Sequence, residues 1–307
     1  MENQSIASLI VGIAILGGSL SGCGNNRATS VEPITPAEVD AAALADSDTL
    51  AAQNFPSKII GINPLVKVKA DGSNLDANLR AKIDAFGLLA IAATPSNSSS
   101  GFCSATHIGN GYVITAGHCF FNESAPGPQK KVNAACPELK VHWGYRGSPA
   151  TGSASPVVTS IGQCTSVVYA ELSATRDFGI FKVDHAPSVS VPLANDNARP
   201  APNTKLTIFG YPQARPLEWS QYCPLVKTIA AAAKMPASRF AYQCDTEPGN
   251  SGSAVLSVSP TGDLRVVGIH DAAAPDTLAY NIATYLFDAR QVLSTNGVNL
   301  NQLVGSN

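Results

Sequence analysis

Between residues 85 and 269 the chain is a succession of short apolar runs cut by turn residues, and this pattern limits the possible folds more than any other feature. The runs are Ala85–Ala93, Tyr112–Ala116, Val167–Leu172, Phe178–Val183, Lys205–Gly210, Ala254–Val258 and Leu264–Ile269. Each is short for a helix, and Gly, Pro, Asn, Asp and Ser punctuate the intervals. Strands of this size are buried only in sheets that close or stack, so a β-barrel or β-sandwich is expected. With 45% hydrophobic residues in 307, there is enough apolar material for a sizeable core. The C-terminal stretch Phe287–Leu303 differs: Val292, Leu293, Val298 and Leu300 suit a helix, interrupted by Gly297.

Charged residues make up only 14% of the chain and the formal net charge is −2, so nothing in the composition favours nucleic acid or an anionic membrane surface. The beginning of the chain is of another kind. The apolar run Ile6–Leu20 is short for a membrane span and ends in small residues, as an export signal does, although Met1–Gln4 lacks Lys and Arg. It closes on Leu20-Ser21-Gly22-Cys23, which resembles a bacterial lipobox, so residues 1–23 are read as a lipoprotein signal peptide and Cys23 as the lipid anchor. Residues 24–58, rich in Ala, Asp, Asn and Pro, read as a tether or propeptide. The protein is therefore expected in the bacterial cell envelope, or secreted, with no membrane contact beyond that anchor.

Cys103, Cys119, Cys136, Cys164, Cys223 and Cys244 remain, an even set that suits disulfides in an exported protein. Their connectivity is open; pairing Cys103 with Cys119, Cys136 with Cys164 and Cys223 with Cys244 would close modest local loops. No C-x2-C spacing points to zinc, and no metal or organic cofactor is expected.

Acyl transfer through serine needs a nucleophile, a base, a carboxylate to orient the base, and donors for the oxyanion. His118 ends the run Tyr112-Val113-Ile114-Thr115-Ala116-Gly117 among small residues that leave its ring accessible, and imidazole titrates near neutrality. Asp177, in Arg176-Asp177-Phe178-Gly179-Ile180-Phe181, enters an apolar strand where it could be buried against the second ring nitrogen. Ser251 lies in Gly249-Asn250-Ser251-Gly252-Ser253, where flanking glycines permit a tight turn and the amides of Gly249 and Ser251 can converge on an oxyanion. Taken singly, each has an ordinary alternative: a structural histidine, a turn aspartate, a Gly/Ser-rich hairpin.

Together, in the order His, Asp, Ser, these motifs resemble the chymotrypsin-like serine endopeptidases, and the intervals from 118 to 177 and from 177 to 251 leave room for several strands each. The resemblance implies an all-β fold of two six-stranded antiparallel Greek-key β-barrels with the active site between them and a C-terminal helix. It also implies a monomer acting on peptide or protein substrates, with residues 59–307 as the protease domain.

Within that class the chain resembles the bacterial glutamyl endopeptidases from about Ile59 onward. The shared features are Lys58-Ile59-Ile60-Gly61 as a processing junction, Phe102-Cys103-Ser104-Ala105, Gly210-Tyr211-Pro212 and Asn281-Ile282-Ala283. In that family a threonine five residues before the nucleophile, a histidine in a Gly-Ile-His strand and the mature N-terminal amine bind glutamate. The matching positions are Thr246, His270 in Gly268-Ile269-His270, and the amine of Ile59 after processing at Lys58. Such donors suit a carboxylate, more so if the imidazole is cationic.

Two departures point elsewhere. Asp271, directly after His270, would repel a glutamate if it faced the pocket. Asp245, six residues before Ser251, stands where trypsin-like enzymes keep the acid that binds Lys or Arg, so a basic specificity is the alternative. Asn250 occupies the place of the aspartate that in trypsins pairs with the new N-terminus. A lipid-anchored binding protein with a degenerate protease fold is the non-enzymatic alternative. An esterase is disfavoured because no G-x-S-x-G elbow surrounds Ser251.

Overall fold

The computed structural model describes residues 59–60, 65–91, 101–121, 125–147, 156–194, 199–227, 235–274 and 280–305. Cys23, Lys58 and the expected signal and tether lie outside them. Among the described residues no helix is long and apolar enough to cross a membrane.

Among the described residues fourteen strands form two sheets, and six strands of each close into a barrel. The first is built from β2 (Phe86–Ala90), β3 (Gly101–Gly109), β4 (Tyr112–Thr115), β6 (Lys140–Trp143), β7 (Ser160–Leu172) and β8 (Asp177–Val183), in the order β7-β6-β2-β3-β4-β8, and it closes through β7–β8. The second is built from β9 (Lys205–Gly210), β10 (Glu218–Lys227), β11 (Arg239–Tyr242), β12 (Ala254–Val258), β13 (Leu264–Ala273) and β14 (Asn281–Tyr285), in the order β10-β11-β14-β13-β12-β9, and it closes through β10–β9. In each, three consecutive strands are neighbours and the fourth returns beside the first, which is the Greek-key arrangement. β5 (Gln129–Ala134) adds to β7 and β1 (Val66–Lys67) to β10, each outside its closed ring. Full closure removes the exposed sheet edges that invite aggregation.

The longest of these strands, β7, pairs with β5, β6 and β8, and its pairing with β8 shifts register between Cys164 and Ser166 and between Val167 and Tyr169; such bulges bend a strand around a barrel corner. The core of the first barrel is aromatic and aliphatic, with Phe86, Trp143, Tyr169, Phe178 and Phe181 fully buried. The barrels meet over apolar surface: Phe86 of β2 stacks on Phe209 of β9 at 4.7 Å between ring centroids. Nearby the Tyr211 hydroxyl donates to the Phe86 carbonyl at 2.8 Å.

A short helix α1 (Ala77–Arg80) precedes β2, its first turn capped by the Asp76 carboxylate, which accepts the Leu79 N–H. The expected C-terminal helix is two helices. α2 (Leu286–Thr295) buries Leu286, Ala289 and Leu293, and α3 (Leu300–Val304) follows. They are separated at Gly297, whose φ of +75° a helix cannot continue through. α3 restarts at Asn299, whose side chain accepts the amides of Asn301 and Gln302. Its last turn lies against the first barrel, since a Cβ on Gly109 would come within 2.7 Å of the Val304 carbonyl.

Three disulfides join Cys103 to Cys119, Cys136 to Cys164 and Cys223 to Cys244, the local pairing expected from the sequence. Three disulfides mark a protein of an oxidising, exported setting.

Candidate active site

His118 lies in a one-turn 3-10 segment, Gly117–Phe120, directly after β4. Only glycine fits before it, because a Cβ at Gly117 would stand 1.9 Å from the Glu171 carbonyl. Asp177, the first residue of β8, is buried, and it holds the histidine twice: Oδ1 accepts the His118 amide at 2.9 Å and Oδ2 lies 2.6 Å from Nδ1. Burial pushes the Asp177 carboxyl up, but the facing His118, its hydrogen bonds and the Arg239 guanidinium outweigh that and hold it below the usual carboxylate range. An ionised carboxylate only accepts, so Nδ1 carries the hydrogen and Nε2 is left as the proton acceptor.

The Ser251 turn comes from the second barrel, between the segment after β11 and β12. It is pinned to the strands that carry His118. The Ser104 N–H donates to the Ser251 carbonyl at 2.7 Å and the Ser104 hydroxyl to the Gly249 carbonyl at 2.9 Å, while the Thr115 hydroxyl donates to the Ser104 carbonyl at 2.8 Å. Gly252 is where the two barrels press closest. Its φ is +86°, and a Cβ would meet Thr115 Oγ1 at 2.1 Å and the Ala116 nitrogen at 2.7 Å. Because Cys103 is bonded to Cys119, the residue before Ser104 and the residue after His118 are tied covalently, so the Ser251 turn and the histidine share one anchorage. Among the described residues no hydrogen bond within the fold uses the amide of Gly249, whose φ is +99°, or that of Ser251.

Behind this loop stands a turn that the sequence did not single out. Gln213, in the left-handed region at φ +51°, donates its amide to the Pro248 carbonyl at 2.6 Å. Its side chain and the Arg215 guanidinium both donate to Glu247 at 2.9 Å, and Arg215 also bonds Glu218. A left-handed non-glycine residue costs about 1–3 kcal/mol and persists only where its surroundings enforce it.

The expected specificity residues separate into two groups. His270 is wholly buried, with Nδ1 2.6 Å from the Tyr242 hydroxyl and 3.2 Å from the Ile282 carbonyl. Burial pushes its pKa down to about 3, so the imidazole is neutral at physiological pH, which corrects the expectation that a cationic ring could serve there. Thr246 is also fully buried, and among the described residues its hydroxyl has no partner. Asp245 accepts the Ile60 amide through Oδ1, whereas Oδ2 is buried without a partner among the described residues; burial, against that hydrogen bond, pushes its carboxyl up to about 6. Ile59 is exposed. Asp271, expected to repel a glutamate if it faced the pocket, is bonded elsewhere. Its carboxylate accepts the Thr284 hydroxyl at 2.6 Å and faces Arg239 at 3.5 Å. Cys103, His118 and Cys119 cluster as metal ligands might, but both sulfurs are in the disulfide and offer no thiolate.

The family model described as "Trypsin-like peptidase domain" matches residues 99–269, more than half of the chain. The chain belongs to the trypsin-like peptidase family. It is accordingly a serine endopeptidase. Two solved structures resemble this peptidase in fold. One, titled "Structure of Glu endopeptidase in complex with MPD", is 19% identical with a TM-score of 0.51, covering 78% of this chain and 98% of its own. The other, the VesB protease of Vibrio cholerae, is 17% identical with a TM-score of 0.51, covering 76% of this chain and 68% of its own. No curated protein matches the peptidase.

Proposed function

We propose that the peptidase hydrolyses peptide bonds through an acyl-enzyme on Ser251 and cleaves after glutamate. In this reading His118 takes the Ser251 proton through Nε2 and returns it to the leaving amine. Asp177 fixes the tautomer and stabilises the imidazolium, and the amides of Gly249 and Ser251 receive the oxyanion. The observation that carries it is the doubly bonded His118–Asp177 pair anchored to the same strands as the Ser251 turn.

Glutamate specificity draws on two buried donors. The Tyr242 hydroxyl, held protonated by burial, donates to His270 Nδ1 across the shorter of that nitrogen's two contacts, which makes Nε2–H the outward donor. The Thr246 hydroxyl, without a partner in the fold, is the second. A buried polar atom costs free energy until a partner reaches it, and a glutamate side chain would supply one. That one of the similar folds is titled a Glu endopeptidase accords with this. Asp245 is engaged by Ile60, which weighs against its serving as the acid that binds Lys or Arg. Processing after Lys58 would place a new amine at Ile59, next to the residue docked on Asp245. Lipid anchoring at Cys23 and a tether or propeptide over 24–58 complete the proposal.

The test is digestion of a peptide library by protein processed at Lys58, beside Ser251→Ala, with cut positions read by mass spectrometry. Cuts after Glu that vanish in the variant are expected. Cuts after Lys or Arg would transfer specificity to Asp245, and no cuts by folded protein would overturn the catalytic reading.

A further inference from the structure

Beneath the triad acid lies a buried charge pair that the chemistry above leaves unused. Asp271 on β13 has a side chain with 0% exposure, and that of Arg239 on β11 has 3%. Between them on β14 is Thr284, paired in register with Arg239 on one side and with Ile269 on the other. The Thr284 hydroxyl donates to Asp271 Oδ2 at 2.6 Å and accepts the backbone N–H of Asp177 at 3.1 Å. Arg239 Nε stands 3.5 Å from the same Asp271 oxygen. Three strands of the second barrel thus converge on one residue of the first, the carboxylate that holds His118.

Apolar side chains of similar volume would fill this space without the desolvation that two buried charges suffer, so packing alone does not account for the pair. Its charges act on the triad. Arg239 attracts Asp177, and Asp271 and His118 interact electrostatically. The titratable groups facing Asp271 are Arg239, Asp177 and His118, with Tyr242 feeling its charge from the same barrel. Burial, relieved by Arg239 and reinforced by the like charge of Asp177, pushes the Asp271 carboxyl up to about 7. With Asp271 ionised, the two carboxylates and the guanidinium leave one net negative charge while His118 is neutral. That charge is cancelled once the imidazole has taken the Ser251 proton.

We propose that Asp271 and Arg239 are positioning residues for Asp177: through Thr284 they fix the backbone of the triad acid, and their paired charges set the field in which His118 becomes an imidazolium. The proposal rests on the triad assignment above. The proton transferred in the reaction passes from Ser251 Oγ to His118 Nε2; Asp271 and Arg239 act on it through their charges.

The test is the pH profile of kcat/KM for the processed parent, Asp271→Asn and the double variant Arg239→Met/Asp271→Asn, with a separate sample of each treated with a serine-directed fluorophosphonate to establish that its serine reacts. In the parent Asp271 and His118 each favour the other's charged form, so Asp271→Asn, which removes that mutual support and leaves the guanidinium unbalanced beside Asp177, moves the acidic limb to lower pH by up to about one unit. The double variant restores the net charge and returns the limb to the parent's position. If the charge variants do not fold, Thr284 decides: Thr284→Val loses about tenfold in kcat at unchanged KM, as for one lost orienting hydrogen bond, and Thr284→Ser recovers it. A limb unmoved by Asp271→Asn when the parent's separate sample does label, or equal loss in both Thr284 variants, overturns the positioning role alone. A folded parent that fails to label overturns the triad assignment on which it rests.

Discussion

The two barrels share a topology but treat buried polar groups differently. In the first they are mostly satisfied within the chain: His107 bonds the Val189 carbonyl and the Gly111 amide, Arg146 pairs with Asp84, and Glu171 is held by Tyr169, Ser173 and Arg176. In the second, among the described residues, the buried oxygens without partners include those on Asp245, Thr246, Asn250, Ser253 and Asp271, on or beside the elements that carry the Ser251 turn and the His270 strand, and the Tyr280 and Tyr285 hydroxyls. A largely bonded interior makes a rigid support, and His118 and Asp177 are mounted on it. Unspent donors and acceptors cost stability, and folds keep them where a ligand, water or a reaction completes them. On the proposed function, the first barrel is the frame and the second the reader of substrate.

The largest effect that would break this comparison comes from the two catalytic contributions. Ser251→Ala should lower kcat by about a millionfold, and Asp177→Asn, which supplies the wrong hydrogen-bond partner to Nδ1, by about ten-thousandfold. Stopped assays with a fluorogenic glutamyl peptide read both. Ser251→Ala should leave thermal stability within about 0.5 kcal/mol, since Ser251 is only partly buried and the change removes a single oxygen.

A matched pair of threonines sharpens it further. Thr246→Val removes an unpartnered hydroxyl and should lower kcat/KM for glutamyl substrates about ten- to a hundredfold while the melting temperature holds or rises. Thr115→Val removes a hydroxyl that bonds the Ser104 carbonyl and should cost about 1–2 kcal/mol in chemical denaturation. Opposite signs in stability for one substitution are the prediction, and equal losses would erase the distinction between the barrels.

The smallest effect is a slope. Asp245 is raised to about 6 in the folded chain from an ordinary value near 4, so between those values the folded state holds a proton that the unfolded state has lost. Stability should therefore fall as pH rises through that window and level off above it. Asp245→Asn, which can still accept the Ile60 amide, should flatten the fall and melt higher at pH 8. Melting curves from pH 4 to 8 check it.

Much of this site was legible in the sequence, because its chemistry demands particular residue types in particular company. His118 after an apolar strand, Ser251 between glycines and Asp177 at a strand entry each follow local rules. So do strands such as Lys205–Gly210 and Ala254–Val258, whose apolar runs match their observed bounds. β5, with Gln129, Lys130 and Lys131, and β11, with only Arg239–Tyr242, have no comparable run, since an outer strand needs little apolar character and a four-residue one shows no period. The supporting residues were invisible for a different reason. Ser104, Gln213, Arg215, Tyr242, Arg239 and Thr284 act on residues far away in the chain, and nothing local distinguishes a serine that pins an oxyanion loop from any other. Asp271 was misread because sequence adjacency to His270 suggested a shared pocket, whereas its bonds run to Thr284 and Arg239 instead.

The central claim, that Ser251 is a nucleophile activated by the His118–Asp177 pair, is tested most directly by intact-protein and peptide mass spectrometry after fluorophosphonate treatment. A single adduct on Ser251, formed quickly by the parent and at least a thousandfold more slowly by Asp177→Asn, is the predicted result. No adduct on a folded parent, or one on another serine, would contradict it.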